Sequence, residues 1–148
     1  MNIGVHKQLP LSQLLPIASV VDERGTLCFL QESSEGLPFT PQRTFWITGV
    51  PLHALRGGHA HTTCHEFIVA IQGAFSVVCY NGQKRLTYHL DTIEHGLWIP
   101  AGVWCELYDF SPDAICLVVA SERYDVTGYI NDRETFESYV SQAYKLSE

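Results

Sequence analysis

His59 and His61, separated only by Ala60, offer the most chemistry of any residues in this chain. In an extended strand, side chains two apart leave on the same face, so both imidazoles address one surface. An imidazole with an ordinary pKa of ~6.5 takes and returns protons near neutrality, and two side by side provide both a base and an acid. Two such rings in a small apolar space are costly unless they bind something or hydrogen-bond each other. An isolated pair can also be purely structural, satisfied by backbone carbonyls. Four residues separate His61 from Glu66, and six separate Glu66 from Gly73.

The elements that must position these residues read as short strands. Apolar and β-branched runs predict strands at Ile17 to Val21, Thr26 to Gln31, Arg43 to Thr48, Glu66 to Ile71 and Ala74 to Tyr80. Further strands are predicted at Lys84 to Leu90, Gly96 to Ile99, Val103 to Tyr108 and Ala114 to Ser121. Strands of this length and spacing belong to a sandwich or barrel. Asn81-Gly82 predicts a two-residue type I′ hairpin turn between Tyr80 and Gln83, and Asp22-Glu-Arg-Gly25 a second tight turn. A single helix is expected over Asp132 to Tyr144, capped by Asn131 or Asp132, with Phe136, Tyr139, Val140 and Tyr144 on the packed face.

With 148 residues the chain fits one domain over its whole length, 1–148, and has no internal repeat or linker. A net charge of -7 repels phosphate backbones and anionic lipid, so neither nucleic acid nor a membrane is an expected partner. Local arginines, with Arg24, Arg43 and Arg56 as candidates, can still hold a diphosphate. Residues 1–15 show no basic leader followed by an apolar run, from which a cytoplasmic location is expected. Five cysteines without CxxC spacing argue against a disulfide framework and a structural zinc site.

The spacing HxH, four residues, E, six residues, G over His59 to Gly73 resembles the first motif of the cupin superfamily. Gly96-Leu-Trp-Ile-Pro100-Ala-Gly102-Val-Trp-Cys105 resembles the second, with Cys105 where a histidine is usual. That resemblance implies an all-β jelly-roll barrel with the two imidazoles facing its interior, here followed by one C-terminal helix. The flanks narrow it. Asp22-x-Arg24-Gly25, Arg56-Gly-x-His-Ala-His61, Gly96-Leu97, Val103-Trp104-x-Glu106, Asp109-Phe110-Ser111 and Ala120-Ser121-x-x-Tyr124-Asp125-x-x-x-Tyr129-Ile130 are similar to the WxcM-like sugar 3,4-ketoisomerases.

This second resemblance implies an isomerase without metal or other cofactor that moves the carbonyl of dTDP-4-keto-6-deoxyglucose from C4 to C3 through an enediol. Carried over by motif position, His61 is the proton-shuttling base and His59 its partner at the sugar oxygen. Arg56, just ahead of them, orients sugar or phosphate, and Glu66 arrives in the cavity from the following strand; by residue chemistry and approximate position alone, Arg24 and Arg43 are candidates for the diphosphate and Trp104 or Tyr124 for an apolar wall. The chain departs from the family where tyrosines give way to Phe45 and Trp46, which carry no phenolic proton, and at Glu66 and Cys105.

Two competing readings stand beside this one. A metal-dependent cupin would use His59, His61, Glu66 and a Cys105 thiolate, a set that zinc accepts. A sugar-nucleotide binding module without turnover would fit the altered cavity positions. The resemblance also implies a homodimer with an N-terminal strand from about Ile17 to Gln31 exchanged, which would bring Arg24 to the neighbouring cleft.

Overall fold

The computed structural model describes residues 7–145; the first six residues of the 1–15 stretch from which the location is expected lie outside it, as do the last three. In chain order the strands are β1 (Gln13–Pro16), β2 (Ala18–Asp22), β3 (Gly25–Phe29), β4 (Arg43–Thr48), β5 (Arg56–His61) and β6 (Glu66–Gln72). They continue with β7 (Phe75–Tyr80), β8 (Arg85–Leu90), β9 (His95–Ile99), β10 (Trp104–Tyr108), β11 (Ile115–Ala120) and β12 (Tyr129–Ile130), before one helix, α1 (Arg133–Tyr144). Two five-stranded sheets form, ordered β1-β9-β6-β11-β4 and β12-β5-β10-β7-β8, while β2 and β3, among the described residues, pair only with each other. This is the jelly roll that the motifs imply.

Alternation decides which side chains meet between the sheets. On β4, Phe45 and Ile47 pack toward the core while Trp46 points out and is 67% exposed. On β7 and β10, Phe75, Val77, Cys79, Cys105 and Leu107 face Ile68, Leu97, Cys116 and Val118 from the opposite sheet. Each large apolar side chain buried here contributes roughly 1.5–3 kcal/mol. Central β6 reads as a near-continuous apolar run because both its faces are covered. Ile68 and Ala70 enter the core, whereas Phe67 and Val69 lie under Leu37 and Phe39 of the segment that follows β3.

The helix covers the outer face of the second sheet. Asp132 is its N-cap, its carboxylate accepting from the Thr135 backbone N–H at 2.8 Å. Phe136, Val140 and Tyr144 bury against Ala60, Trp104 and Ile130, and Tyr139 packs at the rim of that cluster. Four of the cysteines are buried and all five are free. Among the described residues no helix is long and apolar enough to cross a membrane.

Two local expectations need correction. The β7–β8 hairpin exists, but Tyr80 pairs with Arg85 rather than Gln83, so the loop has four residues and not the two of a type I′ turn. Asn81 accepts from the backbone N–H groups of Gln83 and Lys84 through its side chain, and that local bond competes with the tighter turn. Strands β1 and β12 were not predicted. The first ends in Pro16, tolerable because β1 is an edge strand, and the second is too short to leave a pattern.

Candidate active site

Strand β5 carries the histidines, and a β-bulge sets what accompanies them. His59 pairs with Cys105, but the register against β10 then shifts, so that Glu106 meets Gly57 and Leu107 meets Arg56. In a regular strand, residues three apart face opposite ways. The extra residue brings Arg56 round to the interior face with His59. Gly57 and Gly58 make this backbone, with φ of +75° and +76°, and a Cβ on Gly57 would lie 2.9 Å from the Cys105 carbonyl oxygen.

The interior face opens into a cavity of about 190 Å³ lined by Arg56, His59, Glu66, Cys105 and Tyr129, with Phe45, Ile47, Ile68, Leu107 and Val118 as its apolar wall. The His59 and His61 rings sit 5.0 Å apart, edge to face. His61 is deeper, 6% exposed, and its Nε2 meets Oε1 of Glu66 at 3.1 Å; Glu66 is 5% exposed. With that carboxylate ionised, Nε2 carries the proton and Nδ1 the lone pair. Burial holds His59 below its ordinary pKa and the neighbouring His61 adds to this, while Glu66 pulls the other way. Full burial, followed by the charge of Glu66, pushes the Cys105 thiol well above its ordinary range. His59, Glu66 and Cys105 each present a ligand atom, all within 4.8 Å of one another.

The structure gathers His59, His61, Glu66 and Arg56, as their motif implies, and disperses the rest. Arg43, at the start of β4, lies over the rings of Phe45 and Tyr124 at 5.3 and 5.7 Å, beside the cavity. Tyr124 is 69% exposed at the mouth, its ring 5.8 Å from that of Tyr129. Arg24 sits at the tip of the β2–β3 hairpin, paired with Asp22 and outside its own chain's cavity. Trp104, expected as a cavity wall, faces the other way. It is buried under α1 against Phe136, its indole N–H donating to Glu106 at 3.1 Å, because its neighbour Cys105 takes the inward position. Trp46 likewise points outward, so only Phe45 of that pair bears on the cavity. Tyr129 was not singled out for the site; its signal was the apolar–aromatic pair Tyr129-Ile130 a few residues before the helix, which reads equally as a connection.

A two-sheet jelly roll with an HxH strand and a glutamate converging on an interior cavity defines a cupin. Comparison with known proteins narrows the class. The family described as FdtA, WxcM-like, C-terminal, matches residues 11–141. A TDP-4-oxo-6-deoxy-alpha-D-glucose-3,4-oxoisomerase of Aneurinibacillus thermoaerophilus is 30% identical over 131 residues, spanning 88% of this chain and 94% of that protein. The solved structure of QdtA, a sugar 3,4-ketoisomerase from Thermoanaerobacterium thermosaccharolyticum in complex with TDP, superposes with a TM-score of 0.84 at 26% identity, covering 90% and 96% of the two chains. A 3,4-ketoisomerase from Helicobacter canadensis gives 0.83 at 29% identity, covering 88% and 97%. The chain belongs to the WxcM-like family of sugar 3,4-ketoisomerases.

Proposed function

We propose that this enzyme moves the keto group of a dTDP-linked 4-keto-6-deoxyhexose from C4 to C3 through an enediol, with His61 as the base that carries the proton between the two carbons and His59 holding a sugar oxygen. One observation supports this above others: His59 lines the cavity 5.0 Å from His61, which is itself tied to a buried carboxylate. A carboxylate on one ring nitrogen fixes the tautomer and the ring's orientation and leaves the other nitrogen to accept a proton next to a ketone. The lowered pKa of His59 keeps that ring neutral and able to donate one hydrogen bond without charge.

At about 190 Å³ the cavity is smaller than the ~300–1,000 Å³ typical of drug-sized ligands. It therefore takes the hexose and leaves the nucleotide outside. Arg56 inside and Arg43 beside the mouth are the basic groups of this chain placed for sugar and diphosphate, and Tyr124 offers an exposed ring to the base. A second copy would supply Arg24, since the β2–β3 hairpin is exposed along its whole length and, among the described residues, pairs with no other strand. The working unit is accordingly a strand-exchanged homodimer in the cytoplasm, feeding deoxy- or amino-sugar synthesis.

Incubation with dTDP-4-keto-6-deoxyglucose in deuterated water, followed by NMR, tests the reading. The expected result is a 3-keto product and solvent deuterium exchange at C3 or C4. Saturable TDP binding with neither exchange nor product would instead select a binding module.

The ligand set His59, Glu66 and Cys105 favours a second reading, in which the same cavity holds zinc that would polarise the sugar carbonyl as a Lewis acid. The residue types fit that ion; the raised thiol pKa of Cys105 opposes it, because a thiol must ionise to bind. Elemental analysis decides. Near-stoichiometric zinc that is lost in a Cys105→Ser variant selects the metal enzyme, and full activity after exhaustive chelation selects the metal-free one.

A further inference from the structure

Carbonyl transposition moves two protons, one from carbon to carbon and one from oxygen to oxygen. The imidazole pair accounts for the first. On the proposed ketoisomerase reading, the second needs a group that gives a proton to the C4 oxygen and then takes one from the C3 hydroxyl. Phe45 and Ile47, the cavity residues of β4, have no such proton.

Tyr129 does. It pairs with His61 across the β12–β5 ladder, and while its neighbour Ile130 goes outward to the helix cluster, Tyr129 turns inward and lines the cavity. Its ring stands 4.4 Å from His61 and 5.0 Å from His59, tilted by 61° and 66°, so the phenol ring packs against both imidazoles and shares the cavity with His59. Arg43 lies over the rings of Phe45 and Tyr124 at 5.3 and 5.7 Å, the Tyr124 ring is 5.8 Å from that of Tyr129, and the guanidinium favours the ionised phenol. Among the described residues that guanidinium has no carboxylate partner, its Nε is buried without a hydrogen bond, and aromatic rings flank it. A cation near a phenol stabilises negative charge on the phenol oxygen, and here it works against the charge of Glu66 in the same cavity.

We infer that Tyr129 is a catalytic residue of the isomerisation, relaying the proton between the two sugar oxygens with Arg43 as its electrostatic support. In the first half, His61 takes the C3 proton as the phenol gives its proton to the C4 oxygen, leaving a neutral enediol, an imidazolium and a phenolate. In the second, the phenolate takes the C3 hydroxyl proton, the C3–O double bond forms, and the imidazolium returns its proton to C4. Both groups end as they began, and no oxidant or reductant is consumed. Burial, which pushes the Tyr129 phenol above its ordinary pKa, and the charge of Glu66 oppose the phenolate, and Arg43 works against both.

Tyr129→Phe keeps the ring against both histidines and removes only the hydroxyl. The expected outcome is a fall in kcat of about 100-fold or more, in the range of a lost general acid-base group, with KM and TDP affinity within about threefold of wild type, as for a group needed only in the transition state. Site-specific replacement of Tyr129 by a fluorinated tyrosine of lower phenol pKa should move the alkaline limb of the kcat profile to lower pH, a readout that packing alone would not shift. A Tyr129→Phe variant with kcat near wild type, or an alkaline limb unmoved by fluorination, overturns the assignment while leaving the ketoisomerase reading standing. A wild-type chain that isomerises no keto sugar overturns both.

Discussion

Nε2 of His61 and Oε1 of Glu66 meet at 3.1 Å with both side chains nearly excluded from solvent. A buried carboxylate is tolerable only with partners, and a buried imidazole held at one nitrogen has a defined tautomer. Each residue therefore secures the other.

Glu66→Ala should cost about 2–3 kcal/mol of stability, the value of a hydrogen bond to a charged group whose remaining partner stays buried. Glu66→Gln keeps an acceptor of similar shape and should lose less. Urea denaturation of the two variants checks the order; equal stabilities would show that the pair holds nothing together.

The depressed pKa of His59 has a sign that NMR can read. Because folding lowers it, the unfolded chain gains this proton first as pH falls. The stability present above ~6.5 is then lost as pH drops through the lower native value. His61→Asn removes a like charge and should raise the His59 pKa. Glu66→Gln removes an opposite charge and should lower it. Resonances of His59 that titrate at or above the ordinary value, or that shift the same way in both variants, would contradict the arrangement.

Why part of this was legible in the sequence follows from distance along the chain. His59, His61 and Glu66 lie within one hairpin's length, so a two-residue period and a spacing were enough to bring them together. Trp104 was misplaced because it adjoins Cys105, and a one-residue step on a strand exchanges cavity for exterior. The inward turn of Arg56 depends on a register shift against β10, nearly fifty residues away, of which Gly57-Gly58 is the only local trace. Tyr129 reaches the site through a ladder of two residues, too short for any periodicity.

That register shift can be tested at its glycines. Gly57→Ala should destabilise by more than the ~1–2 kcal/mol of a left-handed backbone alone, since its Cβ would also press on the Cys105 carbonyl; Gly58→Ala, with open space around it, should lose only the backbone cost. Gly57→Ala should also weaken TDP binding by displacing Arg56, as measured by calorimetry. Unchanged melting and affinity in Gly57→Ala would mean that the bulge does not set the position of Arg56.

The β2–β3 hairpin makes the last prediction. A two-stranded ribbon is marginal by itself, yet this one exposes Val20, Val21, Leu27 and Phe29, at 56, 72, 60 and 41%. Meanwhile β4 leaves an open edge beside the cavity. A second copy that lays its hairpin along that region would cover both and deliver Arg24 to the cleft. Sedimentation should show a dimer at micromolar concentration, and Val21→Asp with Leu27→Asp should yield a folded monomer without activity. Mixing Arg24→Ala chains with His61→Ala chains, each inactive alone, should restore one cleft in every mixed dimer, because the cleft with intact histidines then receives an intact arginine. A fully active monomer, or mixed dimers with no more activity than their parents, would rule out the shared site.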